Sequence, residues 1–213
     1  ADNLTTDLRV TVDKGKYRDQ VFTDLRLGAH YEKGIFQNYD AAFFLADGKI
    51  MMNGSADLRN LKKIRFTMNP DIRNVQVGQL SPLFKVDKMP LDGPLSLTGH
   101  LEGEAGNTEV LLSSLKGTVK TEVGGGQMSD GKHLGKIATK ILSFINLKGL
   151  FSGALINKME NQGIPFTAIT SEATFLNGNM NLDKYIFTSH ALNGSGEGSN
   201  NFPDNKIALQ IHL

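Results

Sequence analysis

The sequence predicts a mainly β protein in which one large antiparallel sheet is accompanied by one or two amphipathic helices. Over most of the chain, hydrophobic residues alternate with polar ones, which is the period of a strand with one apolar face. Residue pairs that favour tight hairpins, such as Asp47 with Gly48 and Asn177 with Gly178, separate the alternating segments. Only one long segment, residues 132–160, has a helical period. Residues 1–213 are therefore predicted to form a single β-rich domain.

The first third of the chain is predicted to form successive antiparallel strands. The odd-numbered positions from 21 to 45 are predicted to share one face, so that Val21 and Gln37 lie on the same side as Tyr39. The series of strands is predicted to be interrupted at Asn69 and Pro70. The alternating apolar positions are Leu8, Val10, Val12, Val21, Leu25, Leu27, Ala29, Tyr31, Tyr39, Ala41, Phe43, Leu45, Ile50, Met52, Ala56, Leu58, Ile64, Phe66 and Met68.

The rest of the chain continues the sheet around shorter helical pieces. Short helical turns are predicted at about residues 79–84 and 109–115, and alternation restarts between them at Leu95. A strand at residues 118–123 is predicted to turn into the main helix at the glycines 124–126. The apolar positions of the last strands are Ile169, Ala173 and Phe175, then Met180, Leu182 and Ile186, and finally Ile207, Leu209, Ile211 and Leu213.

The predicted main helix, residues 132–160, is amphipathic, and its two faces favour different contacts. Its apolar face carries Leu134, Ile137, Ile141 and Phe144, and its opposite face carries Lys132, Lys136 and Lys140. In one interpretation the lysines contact an anionic membrane surface or lipid headgroups. In the other, which we favour for an isolated domain, the lysines face water while the apolar face plugs the sheet.

The predicted helix is too small to cover the predicted sheet. About eleven strands spaced ~4.8 Å apart give a sheet edge of roughly 50 Å. A helix of ~25 residues is only about 37 Å long and ~10 Å wide. The sheet must therefore curl, either into a closed sandwich or into an open trough, and exposed apolar troughs usually bind something.

Composition excludes several functional classes. The 23 basic and 22 acidic side chains give a net charge of +1, which argues against a general nucleic-acid binder. The sequence has no cysteine, so it offers neither a thiol nucleophile nor a thiolate metal site. The absence of cysteine is compatible with either the cytosol or an oxidising compartment. No apolar run approaches the ~20 residues that span a bilayer.

The catalytic motifs that we considered are incomplete. Residues 126–132 (GQMSDGK) resemble a phosphate-binding loop, but His133 follows instead of Ser or Thr, and the flanking pattern is not βαβ. No GxSxG motif is present, and the histidines lack metal-ligand spacing. The sequence therefore predicts a protein that is not an enzyme, with no cofactor and no metal.

A series of short motifs resembles one protein family. In order, the motifs are LLSSLKG (111–117), GQM (126–128), the amphipathic helix, GIPFT (163–167), FLNG (175–178) and GSGEG (194–198), with DGKI (47–50) and LDGPLSLTG (91–99) upstream. Their order and spacing resemble the C-terminal region of the AsmA family of bacterial envelope proteins. The resemblance runs across nearly the whole chain.

The resemblance implies a fold and a location. Members of the family are inner-membrane proteins with one N-terminal transmembrane helix and a large periplasmic β region, and they are implicated in moving phospholipids between the inner and outer membranes. The implied fold is a large curved sheet that forms an open or half-open apolar groove plugged by a helix. This chain is expected to be a periplasmic portion without the N-terminal anchor of the full-length protein.

The resulting functional hypothesis is a non-enzymatic module that shields phospholipid acyl chains in the groove for transport towards the outer membrane. The groove-lining candidates are Tyr39, Phe43, Leu45, Met52, Ile64, Phe66, Phe175 and Leu182, with Leu134, Ile137, Ile141 and Phe144 as plug or gate. For each strand residue, ordinary core packing is the competing interpretation. The alternative functions are a scaffold that assists outer-membrane assembly through protein contacts and, more distantly, a carbohydrate-binding or hydrolytic β protein. An open apolar trough wide enough for acyl chains would favour transport, whereas a dry, closed core would favour the scaffold.

Overall fold

The computed structural model describes residues 4–84, 86–89, 91–128, 164–190, 193–202 and 206–212. The predicted main helix, with its plug residues Leu134, Ile137, Ile141 and Phe144 and its lysines Lys132, Lys136 and Lys140, lies outside the described residues.

Eleven strands form one antiparallel sheet, in which each strand pairs with its neighbours in the sequence. The strands are β1 (Thr5–Tyr17), β2 (Gln20–Glu32), β3 (Ile35–Leu45), β4 (Gly48–Asp57), β5 (Ile64–Gln76), β6 (Pro94–Ala105), β7 (Lys116–Met128), β8 (Ile164–Leu176), β9 (Asn179–Thr188), β10 (Asn193–Asn201) and β11 (Lys206–His212). Within the described residues β1 pairs only with β2 and β11 only with β10, so the sheet is open. The predicted mainly β, antiparallel fold is confirmed.

The register brings most of the alternating apolar residues of β1 to β9 to one face. Val10 pairs with Leu27, Leu27 with Ala41, and Ala41 with Met52. Directly opposed residues of antiparallel strands project from the same face. We call this side the apolar face. From β1 to β9 it carries Leu8, Val10 and Val12; Leu25, Leu27 and Tyr31; Phe36, Tyr39, Phe43 and Leu45; Ile50 and Met52; Ile64, Phe66, Met68 and Ile72; Leu95, Leu97 and Leu101; Val119 and Val123; Ile169, Ala173 and Phe175; and Met180, Leu182, Tyr185 and Phe187.

Two β-bulges in β2 and β3 change the phase of the alternation. Asp24 and Asn38 have positive φ angles of 53° and 50°, and the strand register shifts beside each of them. A bulge adds one residue to a strand. The residues on its two sides therefore project from the opposite faces to those that strict alternation predicts. The predictions that Val21 and Gln37 share the apolar face were therefore wrong, because Phe22 and Phe36 take that position.

A third shift lies between β8 and β9. The register changes between Glu172 and Ala173, so that Ser171 pairs with Tyr185 and Ile169 with Phe187. Tyr185 and Phe187 consequently share the face of Leu182. The prediction that Ile186 shares that face was wrong for the same physical reason.

Two predicted interruptions lie inside strands instead. Pro70 is buried within β5 and pairs with Met52. The φ angle of proline is compatible with a strand, and proline differs from other strand residues mainly in lacking a backbone N–H donor. Strand β7 continues through the three glycines to Met128. A Cβ on Gly126 would overlap the carbonyl oxygen of Asp92, so glycine is needed there for the close approach of the connection before β6.

The helical pieces are short and lie at the strand ends. They are a 3₁₀ turn (Val77–Leu80), α1 (Ser81–Phe84) and α2 (Thr108–Ser114). The side-chain oxygen of Asn107 caps α2 by accepting a hydrogen bond from the backbone N–H of Val110 at 2.9 Å. The buried core lies under the later strands and consists of Val77, Met89, Leu91, Val123, Met128, Phe166, Ile169, Ala173, Met180, Leu182, Tyr185, Phe187 and Phe202.

Candidate functional site

The apolar face has a buried part and a half-exposed part. On β7 to β9 most of its apolar side chains are nearly inaccessible, as with Val123 at 4%, Ile169 at 5% and Leu182 at 3% exposure, whereas Val119 and Phe175 are partly buried. On β1 it is open to solvent, with Leu8 at 42% and Val10 at 37%. None of the residues of β1, β2, β3 or β6 is buried. The half-exposed part is a contiguous apolar surface of the kind that marks binding sites.

The described coverings pack on the buried part. Phe84 and Val86 of the connection after β5, and Leu112 of α2, pack against the core cluster. Leu91 forms a backbone bridge to Met128, and the N–H of Asp92 donates to the carbonyl oxygen of Gln127 at 2.9 Å. These contacts close the two ends of β7 and β8.

Aromatic side chains line the half-exposed part. The rings of Phe22 and Phe43 meet edge to face with centroids 6.3 Å apart, and those of Tyr31 and Phe36 at 5.2 Å. Edge-to-face pairs hold rings in fixed orientations beyond simple area burial. The floor of this surface is therefore preorganised.

All eight groove-lining candidates lie on the apolar face, but in two different settings. Six of them, Tyr39, Phe43, Leu45, Met52, Ile64 and Phe66, lie on β3 to β5 and are only partly buried. Phe175 is partly buried and stacks on Phe202, with centroids 6.5 Å apart. Leu182 is fully packed in the core cluster.

Tyr39 shows how a polar atom is accommodated on this surface. Its hydroxyl donates to the backbone carbonyl of Thr67 at 2.9 Å. Desolvation raises the pKa of Tyr39 above its ordinary value. The residue thus adds its ring to the apolar face while its hydroxyl remains paired.

Sequence reasoning missed Phe22, Phe36 and Tyr185 as members of the apolar face. Each follows or precedes a bulge, where strict alternation fails. The available signal was the presence of Asp24 and Asn38, because Asp and Asn tolerate positive φ better than other non-glycine residues. Aromatic residues out of phase beside such a residue indicate a bulge.

The opposite face of the sheet is polar and carries cross-strand polar pairs. Lys120 Nζ lies 3.0 Å from Glu172 Oε1, and His30 Nδ1 lies 2.7 Å from Asp7 Oδ1. These pairs are exposed, so each contributes little stability. Their effect is to keep this face in water and leave the other as the apolar surface.

The described residues assemble neither a metal site nor a spanning helix. No group of three or more His, Asp or Glu side chains among them could hold a metal ion. No helix in this part of the chain has both the length and the apolar character needed to cross a membrane.

Comparison with known proteins identifies one family. The model of the AsmA family matches residues 1–185 of the 213. No curated protein and no solved structure matches the sequence. The matched residues extend from β1 into β9 and so include the half-exposed part of the apolar face.

Proposed function

The chain belongs to the AsmA family, and from this premise we propose that it binds and transfers lipids by shielding phospholipid acyl chains on its apolar face. Family membership supports a role in the cell envelope that is connected with lipid transport. We place the module in the periplasm, as part of a protein anchored in the inner membrane. Its task there is to carry phospholipid towards the outer membrane.

The observation that carries the proposal is the half-exposed part of the apolar face. It extends across β1 to β6, where most side chains are at most partly buried, while the core cluster lies mainly on the later strands. Acyl chains are apolar and extended, so they match a surface that is continuous from strand to strand. The opposite, charged face would keep the loaded module in water.

The mechanism is passive. Removing acyl chains from water stabilises the complex by about 0.8 kcal/mol for each buried CH₂. Because this interaction has no directional requirement, a chain can shift from one strand to the next without a large loss of contact. Transfer of this kind needs no catalytic residue and no cofactor.

Phe43 and Phe44 provide a matched pair for testing the proposal. Phe43 lies on the apolar face against Phe22, whereas Phe44 is 46% exposed on the polar face and pairs with Lys49. Phe43→Asp should reduce phospholipid binding at least about tenfold, since a carboxylate beside acyl chains is poorly solvated. Phe44→Asp adds the same charge at the neighbouring position and should bind like the wild type.

Native mass spectrometry of the purified domain, followed by solvent extraction and lipid analysis, measures the bound lipid. Circular dichroism checks that both variants are folded. A lipid-free wild-type domain that also fails to take up a fluorescent acyl probe would contradict the proposal. Equal loss of lipid in both variants would show that the apolar face is not the binding surface.

One observation favours the scaffold as a second candidate. Strand β1 has 13 residues and no proline, and among the described residues it pairs on one side only. Such an edge can accept a strand from another protein through backbone hydrogen bonds. A lipid-free domain that binds an envelope protein, with binding lost when proline is introduced into β1, would favour this candidate.

A further inference from the structure

Strand β10 presents no side chain to the apolar face along most of its length. Gly194, Gly196 and Gly198 pair with Phe187, Tyr185 and Leu182 of β9, all of which lie on that face. Because directly opposed residues share a face, the three glycines form a bare strip beside two aromatic rings. We call it the glycine strip.

Among the described residues, no group forms a hydrogen bond with the buried hydroxyl of Tyr185, whose register partner on β10 is Gly196. Tyr185 is only 4% exposed, and its hydroxyl has no partner within the described part of the chain. Desolvation raises its pKa, so the group remains a protonated donor. A buried polar atom without a partner costs free energy and indicates an occupant that completes it.

A hydroxyl pair lies next to Tyr185 on the same face. Thr121 Oγ1 and Ser171 Oγ are 2.5 Å apart, and Ser171 is the register partner of Tyr185. Two hydroxyls carry two donor protons, and the bond between them uses one. The Tyr185 proton has no acceptor among the described residues, so the group that completes this donor is an acceptor.

The acceptor must also be uncharged. The surroundings of Tyr185 are the apolar residues of the core cluster, including Leu182 and Phe187. A phosphate or carboxylate placed among them would be a buried charge without a cation, which is strongly unfavourable. A neutral carbonyl oxygen meets both requirements.

We propose that this patch binds the ester linkage of a diacyl glycerolipid, with Tyr185 donating a hydrogen bond to an ester carbonyl oxygen and an acyl chain lying along the glycine strip. The inference rests on the proposed function and adds to it a polar contact for the ester group, on the buried part of the apolar face at β9. It also gives the lipid a fixed position, because hydrophobic burial alone would leave the chains free to slide.

The test compares Tyr185→Phe with Tyr39→Phe. Both changes remove one tyrosine hydroxyl from the apolar face, but that of Tyr39 already bonds to Thr67. The ligands are a diacyl phospholipid and its dialkyl ether analogue with the same headgroup and chain length, and each displaces a fluorescent acyl probe. The wild type and Tyr39→Phe should bind the ester about threefold to tenfold more tightly than the ether. Tyr185→Phe should lose that preference.

Two further measurements separate ligand recognition from a structural effect. Without lipid, Tyr185→Phe should unfold at the same temperature as the wild type or higher, because it removes an unpaired buried group, whereas Tyr39→Phe should unfold lower. With lipid, the infrared band of the bound ester carbonyl should lie at lower frequency in the wild type than in Tyr185→Phe.

The possible failures are distinguishable. If ester and ether lipids bind equally well to the wild type, or if Tyr185→Phe retains the ester preference, this inference is wrong while the proposed function stands. If neither lipid binds to the wild type, the proposed function fails and the inference fails with it.

Discussion

At the scale of single residues, two similar short-range ion pairs lie at the end of β4 and within β5. Arg59 donates to both carboxylate oxygens of Asp57 at 2.9 and 2.7 Å, and its backbone N–H bonds to the same carboxylate. Arg73 donates to Asp71 at 2.9 and 2.6 Å. Each arginine follows its aspartate by two residues, so local sequence alone creates these pairs.

The Asp57 carboxyl should titrate at unusually low pH. Its hydrogen bonds to the Arg59 side chain lower the pKa of Asp57 from 3.8 to about 2. Since the folded-state pKa is below the unfolded one, the pair stabilises the fold above pH ~4, and this contribution is lost as the pH falls through about 2. Arg59→Ala should raise the midpoint of Asp57 towards 3.8, as measured by NMR titration of its carboxyl carbon.

Arg73→Ala is the control for this titration. It should leave Asp57 unchanged and raise the pKa of Asp71, which the guanidinium of Arg73 lowers through its hydrogen bonds. An Asp57 midpoint that stays near 2 in Arg59→Ala would assign the shift to another cause.

At the scale of elements, β7 connects the sheet to the core. Its pairing with β6 and β8 is continuous, and it carries Val123 and Met128 into the core. It also contains glycines of two kinds. Gly117 has a φ of +127°, and a Cβ there would overlap the carbonyl oxygen of His100. A Cβ added at Gly125 would lie 3.6 Å from the nearest atom, the carbonyl oxygen of Thr167.

These two glycines should therefore respond differently to alanine. Gly117→Ala should lower the free energy of unfolding by roughly 1–3 kcal/mol, because the alanine combines backbone strain with a steric clash against β6. Gly125→Ala should change it by less than about 1 kcal/mol, since the added methyl group meets ordinary contact distances. Urea unfolding followed by circular dichroism measures both. Equal losses in the two variants would show that β7 does not hold Gly117 in the conformation described.

At the scale of the whole molecule, burial divides the sheet into a packed part and an open part. Amide exchange should report this division, since exchange protection follows local packing and burial. The amides of β1 to β3 should exchange faster than those of β7 to β9 in the lipid-free domain, as measured by hydrogen–deuterium exchange and mass spectrometry. Bound phospholipid should slow exchange in β2 to β5, and the proposed contact at Tyr185 and the glycine strip should slow it in β9 and β10 as well.

Uniform protection along the lipid-free sheet would contradict this expectation. So would a lipid effect confined to β1, which would indicate binding at the strand edge rather than on the apolar face.

The sequence by itself determined the order of the strands, the meander and the polarity of the two faces. The alternation around Phe43, Met52 and Phe66 was sufficient, because period-2 patterning and hairpin residues such as Asp47 and Gly48 act over a few neighbouring residues. The order and spacing of weak motifs also identified the family, which the family match confirms.

Only the tertiary structure decided where alternation changes phase, that the sheet stays open, and which part of its apolar face is covered. Bulges at Asp24 and Asn38 depend on how two strands pair, and sheet closure depends on residues far apart in the chain. The same holds for Tyr185, whose hydroxyl has no partner among the described residues and whose burial depends on residues distant in the chain. Local patterns carry no information on such long-range contacts.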